Sequence, residues 1–189
     1  MLIRILGFLL ETAFFVLIAA ALLRAWMNWL RVSMTAQPGR FVMALTDWLV
    51  KPMRRALPKS LAQARVDWAS VLAAVLMALA YALLWWLLFS VLMGAAEGAL
   101  AFAPAVLLAL PVFALKMLLR VTLQTLFMLV LGYAVLSWVQ PNSMAYGLLA
   151  RLTEPLLTPL RRVIPTIGGV DLSALVLLLL LQIGMMVLL

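Results

Sequence analysis

Hydrophobic and polar positions divide the chain into long apolar stretches separated by two basic, proline-bearing segments. The first apolar run extends from Ile5 to Leu30 and is interrupted by Glu11 and Arg24. A polar segment follows, Arg31 to Arg65, carrying Arg31, Arg40, Lys51, Arg54, Arg55, Lys59 and Arg65. A second apolar run covers Val66 to Gly94. From Ala95 to Leu115 the chain stays apolar but contains Glu97, Pro104 and Pro111, and two prolines seven residues apart weaken any continuous helix. A third run, Met117 to Val139, is introduced by Lys116 and Arg120. After the polar loop Gln140 to Asp171, the last run is Leu172 to Leu189.

At about 1.5 Å per residue the first three runs are long enough to cross about 30 Å of hydrocarbon, and the last is barely so. The pattern therefore predicts an all-α membrane protein with four transmembrane helices, or five if residues 95–115 also cross. Composition agrees: 68% of the 189 residues are hydrophobic, against roughly 45–50% in soluble domains, and mean hydropathy is +1.22. Arg4 and the small residues Ala19 to Ala21 give the first run some look of a signal peptide. Its length and the embedded Glu11 favour a retained membrane helix.

The two polar segments are copies of one another. Thr46, Asp47, Pro52, Arg54, Arg55 and Pro58 recur as Thr153, Glu154, Pro159, Arg161, Arg162 and Pro165, all at one offset of 107 positions. Upstream, Trp26 and Trp138 each close an apolar helix, and ETAFF at Glu11 echoes QTLFM at Gln124. Downstream, VDWASVL at Val66 parallels VDLSALV at Val170. The unit is helix, basic proline-bearing loop, Asp, helix. It divides the chain into a first repeat (1–94), a connector (95–115) and a second repeat (116–189).

Fourteen Lys and Arg against six Asp and Glu give +8. In a chain this apolar, basic loops belong on the cytoplasmic side, next to anionic headgroups, and do not imply nucleic acid. With both repeats inserted the same way, both basic loops are cytoplasmic and the connector makes no net crossing. If the connector spans, the repeats are inverted, as in many transporters.

Within the second loop, Asn142 and Ser143 suit a helix N-cap, and Met144 to Thr153 reads as a short helix with Met144, Leu148, Leu149 and Leu152 toward lipid. Pro155 ends or restarts it. Thr158–Pro159 reads as a new cap and first turn, covering Leu160 to Ile164. Pro165 stops that turn, Gly168–Gly169 returns the chain to the bilayer, and Asp171 caps the last span. The expected object is a set of broken interfacial helices lying apolar side down, with Arg161 and Arg162 at headgroup level. The arginine pairs then either anchor the loops to lipid, pairing with Glu154 or Asp171, or present a docking surface for a partner. Trp26, Trp29, Trp48 and Trp138 suit interfacial anchoring. Glu11 and Glu97, ionisable groups in apolar runs, are the candidates for an ion pathway.

The absence of cysteine excludes disulfides and thiolate metal sites, and the absence of histidine removes the commonest base and metal ligand. Ser137 and Ser173 have no visible base. No catalytic residue, cofactor site or metal site is therefore assigned.

The segment running from SWVQPN (Ser137 to Asn142) through LTEPLLTPLRRVIPTIGGVDLS (Leu152 to Ser173) resembles the YggT family of bacterial and plastid membrane proteins, whose members commonly carry the unit twice. Ala174 departs from it, where many members have proline. In the first copy Trp48 replaces a proline and KSLAQAR replaces the glycine turn, so only Pro52, Arg54, Arg55, Pro58 and Asp67 carry over. The resemblance implies a multi-pass protein of the bacterial inner membrane, with relatives linked to envelope and osmotic-stress tolerance, to division or nucleoid placement, and to maturation of a plastid cytochrome b. The expectation that follows is a non-enzymatic scaffold or assembly factor. Its partners are other membrane proteins and anionic lipid, with self-association left open. The alternative is a small oligomeric ion or osmolyte transporter.

Overall fold

The computed structural model describes residues 1–34, 39–58, 66–92, 104–164 and 171–188. Glu97, Pro165, Gly168 and Gly169 lie outside these residues. Six helices make up the described chain: α1 (Leu2–Trp29), α2 (Gly39–Ala56), α3 (Trp68–Leu92), α4 (Pro104–Val139), α5 (Met144–Arg161) and α6 (Leu172–Leu188). Three of them contain stretches long and apolar enough to cross a membrane: Arg4–Trp29, Trp68–Ser90 and Leu108–Val139. The fourth apolar helix, α6, has 17 residues, which reach about 25 Å. This is an all-α membrane protein.

The chain folds as two compact units, Met1–Val121 and Thr122–Leu189. In the first, α1 and α3 run antiparallel, with Phe14 against Tyr81 (ring centroids 5.7 Å apart) and Gly7 beneath the indole of Trp85, where a Cβ would come within 2.5 Å of the ring. Their seam is built from small residues. Ala21 and Ala25 on α1, and Ala74, Ala78 and Ala82 on α3, are all buried and recur at four-residue spacing. Lipid supplies no hydrophobic drive between helices, so close approach of backbones provides the packing. Ala114, Met117 and Val121 of α4 complete that core. In the second unit Val130, Tyr133, Leu157, Ala174, Leu177 and Leu181 form the core shared by α4, α5 and α6.

α1 ends without a glycine. Arg31 adopts φ 54°, and the amides of Arg31 and Val32 donate to Asn28 O and Met27 O, the paired bonds of a Schellman stop.

Proline does not break the helices as expected. α4 is continuous from Pro104 through Pro111 to Val139, so the described part of the connector and the third apolar run form one helix about 54 Å long. Among the described residues each basic segment likewise holds one 18-residue helix: α2 with Pro52 inside, α5 with Pro155 and Pro159 inside. Pro52 and Pro159 are exposed and Pro155 half-buried, so the prolines fall on or near the outward sides of their helices, where a lost backbone hydrogen bond costs least. The side expected toward lipid is also partly reversed. Met144 is 97% exposed, but Leu152 is 1% exposed and belongs to the interior.

Candidate functional site

Both amphipathic helices bury one stripe and expose the other. α2 buries Gly39, Val42, Thr46 and Val50, and α5 buries Leu152, Thr153 and Leu157. The repeated threonines are fully buried and satisfy themselves within their own helices: Thr46 Oγ1 donates to Val42 O (2.7 Å) and Thr153 Oγ1 to Leu149 O (2.8 Å). Ser143 caps α5 as expected, accepting from the Tyr146 amide at 3.1 Å.

At the end of each basic helix an arginine reaches the aspartate that opens the next helix. In the first unit Arg54 Nη2 donates to Asp67 Oδ2 at 2.7 Å, and Ser70 Oγ donates to the same oxygen at 2.9 Å. Arg24, buried on α1, joins from the other side. Its Nη1 donates to Thr46 Oγ1 and to Asp47 Oδ1, both at 2.8 Å, and its Nε lies 3.9 Å from Asp67 Oδ2. Lys51 closes on Asp47 at 2.8 Å. The result ties α1, α2 and the start of α3 into one network whose central carboxylate, Asp67, is only 5% exposed.

The second unit repeats the clamp with different support. Arg161 Nε and Nη2 donate to Asp171 Oδ2 at 3.0 and 2.7 Å. Nη2 also donates to the Tyr133 hydroxyl at 2.7 Å, and Nη1 reaches Glu154 Oε2 at 3.4 Å. Asp171 Oδ1 accepts the Ser173 amide at 3.1 Å, the expected cap of α6. Arg161 thus pins α5 to the C-terminal part of α4 through Tyr133 and to α6 through Asp171, with its guanidinium carbon 5.8 Å from the Tyr133 ring centre.

Charge follows this geometry. Burial pushes the Asp171 carboxyl up, but the hydrogen bonds from Arg161 and Ser173 outweigh it and leave it below the usual 3.8. The hydrogen bond from Lys51 is the main reason that Asp47 is also held low, with burial opposing and Arg24 assisting. A carboxyl held low in the fold contributes stability above its unfolded value, and that contribution disappears as pH falls through the folded one. An Asp171→Asn variant should therefore melt below the parent at pH 7, with the gap narrowing as pH drops from 5 toward 3. A gap independent of pH over that range, in thermal melts in detergent, would assign the effect to shape and not to charge.

The two members of each arginine pair differ. Arg54 and Arg161 are the clamps. Arg55 and Arg162 are exposed and make no ion pair among the described residues. They share the outward side with Arg40, Lys51, Phe41 and Trp48 on α2, and with Arg151 and Met144 on α5. Pro58 is exposed at the end of the first motif. Glu11 is not free inside its span, since Arg120 Nη1 meets its Oε1 at 2.9 Å.

Sequence reasoning missed Arg24, Tyr133, Ser70 and the pairing of Arg120. Arg24 did carry a signal, as a lone cation in an apolar run that must find a partner. Tyr133 carried none, because an aromatic residue in a membrane helix is unremarkable until an arginine lands on it.

These features define a class: a helical membrane protein made of two repeats, in each of which an amphipathic helix is clamped by an Arg–Asp pair to the helices beside it. The chain belongs to the family described as CCB3/YggT, which matches residues 3–88 and 112–189. It is 33% identical over 179 residues to the Escherichia coli K12 protein called YggT, covering 94% of this chain and 86% of that one. It is 32% identical over 172 residues to a Vibrio alginolyticus protein named for its position in the proC 3′ region, covering 90% and 86%. A Pseudomonas aeruginosa protein, PA0392, is 31% identical over 168 residues, covering 88% and 79%. No solved structure matches.

Proposed function

We propose that this protein is a non-enzymatic, multi-pass scaffold or assembly factor of the bacterial inner membrane, and that the outward sides of α2 and α5 form its cytoplasmic docking face. The observation that carries the reading is the division of labour within each arginine pair. One arginine is consumed by the fold. Its neighbour is exposed without an ion pair among the described residues, at the same place in both repeats. An exposed arginine beside further basic and apolar side chains suits acidic segments of other membrane proteins at headgroup level, because its planar fork binds carboxylates in bidentate fashion. The basic excess of these segments supports the cytoplasmic assignment.

The pairing of Glu11 with Arg120 supports a structural role for that glutamate over an ion-pathway one. The chemistry of the described site is positional: every strong contact holds a helix in place.

The test replaces Arg55 and Arg162 together with alanine and compares in-membrane cross-linked partners with those of the parent. The expected result is loss of the cross-linked membrane proteins while the melting curve stays within about 0.5 kcal/mol of the parent, as for other exposed substitutions. An unchanged set of partners on a folded variant removes the proposal.

A further inference from the structure

Between α4 and α6 a groove of about 190 Å³ opens beside the second clamp. Its walls are apolar, with Leu131 and Val135 on one side and Leu175 and Leu178 on the other. Tyr133 and Asp171 also line it, and Arg161 bonds to both of them, which places the guanidinium at the groove's polar end.

The volume equals about six water molecules at roughly 30 Å³ each, too small for the 300–1,000 Å³ that drug-sized ligands and cofactors take. It suits a segment of a single hydrocarbon chain. The walls belong to an apolar membrane helix and to α6, and Val135 and Leu175 are 50% and 43% exposed, so the groove opens toward hydrocarbon.

The polar end still has donors to offer. Arg161 has five N–H groups. Three hydrogen bonds go to Asp171 and Tyr133 at 3.0 Å or less. Nη1 has one acceptor among the described residues, Glu154, at 3.4 Å, which is outside good hydrogen-bond range. Glu154 is 59% exposed, and its other oxygen accepts from Thr158 at 3.2 Å, so it can release Arg161 without becoming an orphan. The charge of Asp171 is already matched by Arg161.

We infer that this groove and the Nη1 edge of Arg161 form a site for one anionic phospholipid, an acyl chain lying between α4 and α6 and its phosphate taking the place of Glu154 on Arg161. The clamp of the second repeat then reads the headgroup as well as holding the fold. In the first unit Arg24 takes the supporting role that Tyr133 plays here. The inference does not depend on the docking proposal, because the groove is separate from the exposed side of α5.

The experiment is native mass spectrometry of the full chain, delipidated in detergent and titrated with palmitoyl-oleoyl phosphatidylglycerol or with the phosphatidylcholine of the same chains. The expected result is one phosphatidylglycerol retained about tenfold more tightly than phosphatidylcholine. Filling the groove from either wall, by Ala134→Phe or Leu175→Trp, should reduce phosphatidylglycerol retention to the phosphatidylcholine level. Thermal melts verify that each variant is folded, and both leave Arg55 and Arg162 in place, so cross-linking to partner proteins should persist. Equal retention of the two lipids by the parent overturns the inference, as does undiminished phosphatidylglycerol binding by the folded groove-filled variants.

Discussion

Replacing Asp67 with alanine should cost the first unit about 3–5 kcal/mol, the range for removing one partner from a buried ion pair. Asp67 accepts from Arg54 and Ser70 through a single oxygen and faces Arg24 Nε. Ser70 is fully buried and Arg24 is 7% exposed, so neither regains water once the carboxylate is gone. An orphaned buried hydroxyl alone costs about 1–3 kcal/mol. Arg54 softens the loss, because its side chain is 48% exposed and can turn to solvent. Arg24 keeps Asp47 and Thr46, which holds the expected cost below that of a wholly isolated charge. Asp67→Asn should recover part of the difference, since its amide oxygen still accepts from Ser70. The measurement is equilibrium unfolding in mixed micelles, with Arg24→Met and the double variant completing a cycle. If Asp67→Ala unfolds within 1 kcal/mol of the parent, the network is decoration and the clamp reading fails for this repeat.

Leu157→Ala should have the second largest effect, a loss of about 2–5 kcal/mol from the second unit. Leu157 is fully buried and belongs to the cluster of Val130, Tyr133, Ala174 and Leu177. It is the apolar counterpart of the Arg161 clamp, and both attach α5 to the same two helices. The value should fall toward the low end, because the apolar surroundings reduce the transfer part of the cost while the cavity part remains. Met144→Ala, at a position 97% exposed, should change stability by no more than about 0.5 kcal/mol. A second readout is tryptic cleavage after the exposed Arg151 in membranes, which should speed up as α5 detaches. Equal effects from Leu157→Ala and Met144→Ala would mean that α5 is held by lipid and not by the protein.

These two expectations follow different routes from sequence to structure. Asp67 and Asp171 stood out before any fold was known, because each recurs at the end of a duplicated motif and opens an apolar helix. That they receive the first arginine of each pair was also close to legible, since the spacing is short in both copies. The partners across the fold were not. Arg24 lies 22 and 23 positions from Thr46 and Asp47, and Tyr133 lies 28 from Arg161. No local rule links residues so far apart.

What the sequence by itself determined is the solvent and the plan. Apolar runs of membrane length, basic segments between them and a unit repeated at one offset dictate an all-α membrane protein of two repeats, because each of these depends only on how residues partition between water, headgroup and hydrocarbon. Only the tertiary structure decided the rest. It kept α4 continuous across Pro111, because a helix in hydrocarbon keeps its backbone hydrogen bonds internal where unfolding would expose them. It kept α5 continuous, with its prolines on or near the outward side, where a lost backbone hydrogen bond costs least. It turned Leu152 inward, and it separated Arg54 from Arg55 and Arg161 from Arg162, since only the first of each pair reaches the aspartate that opens the next helix.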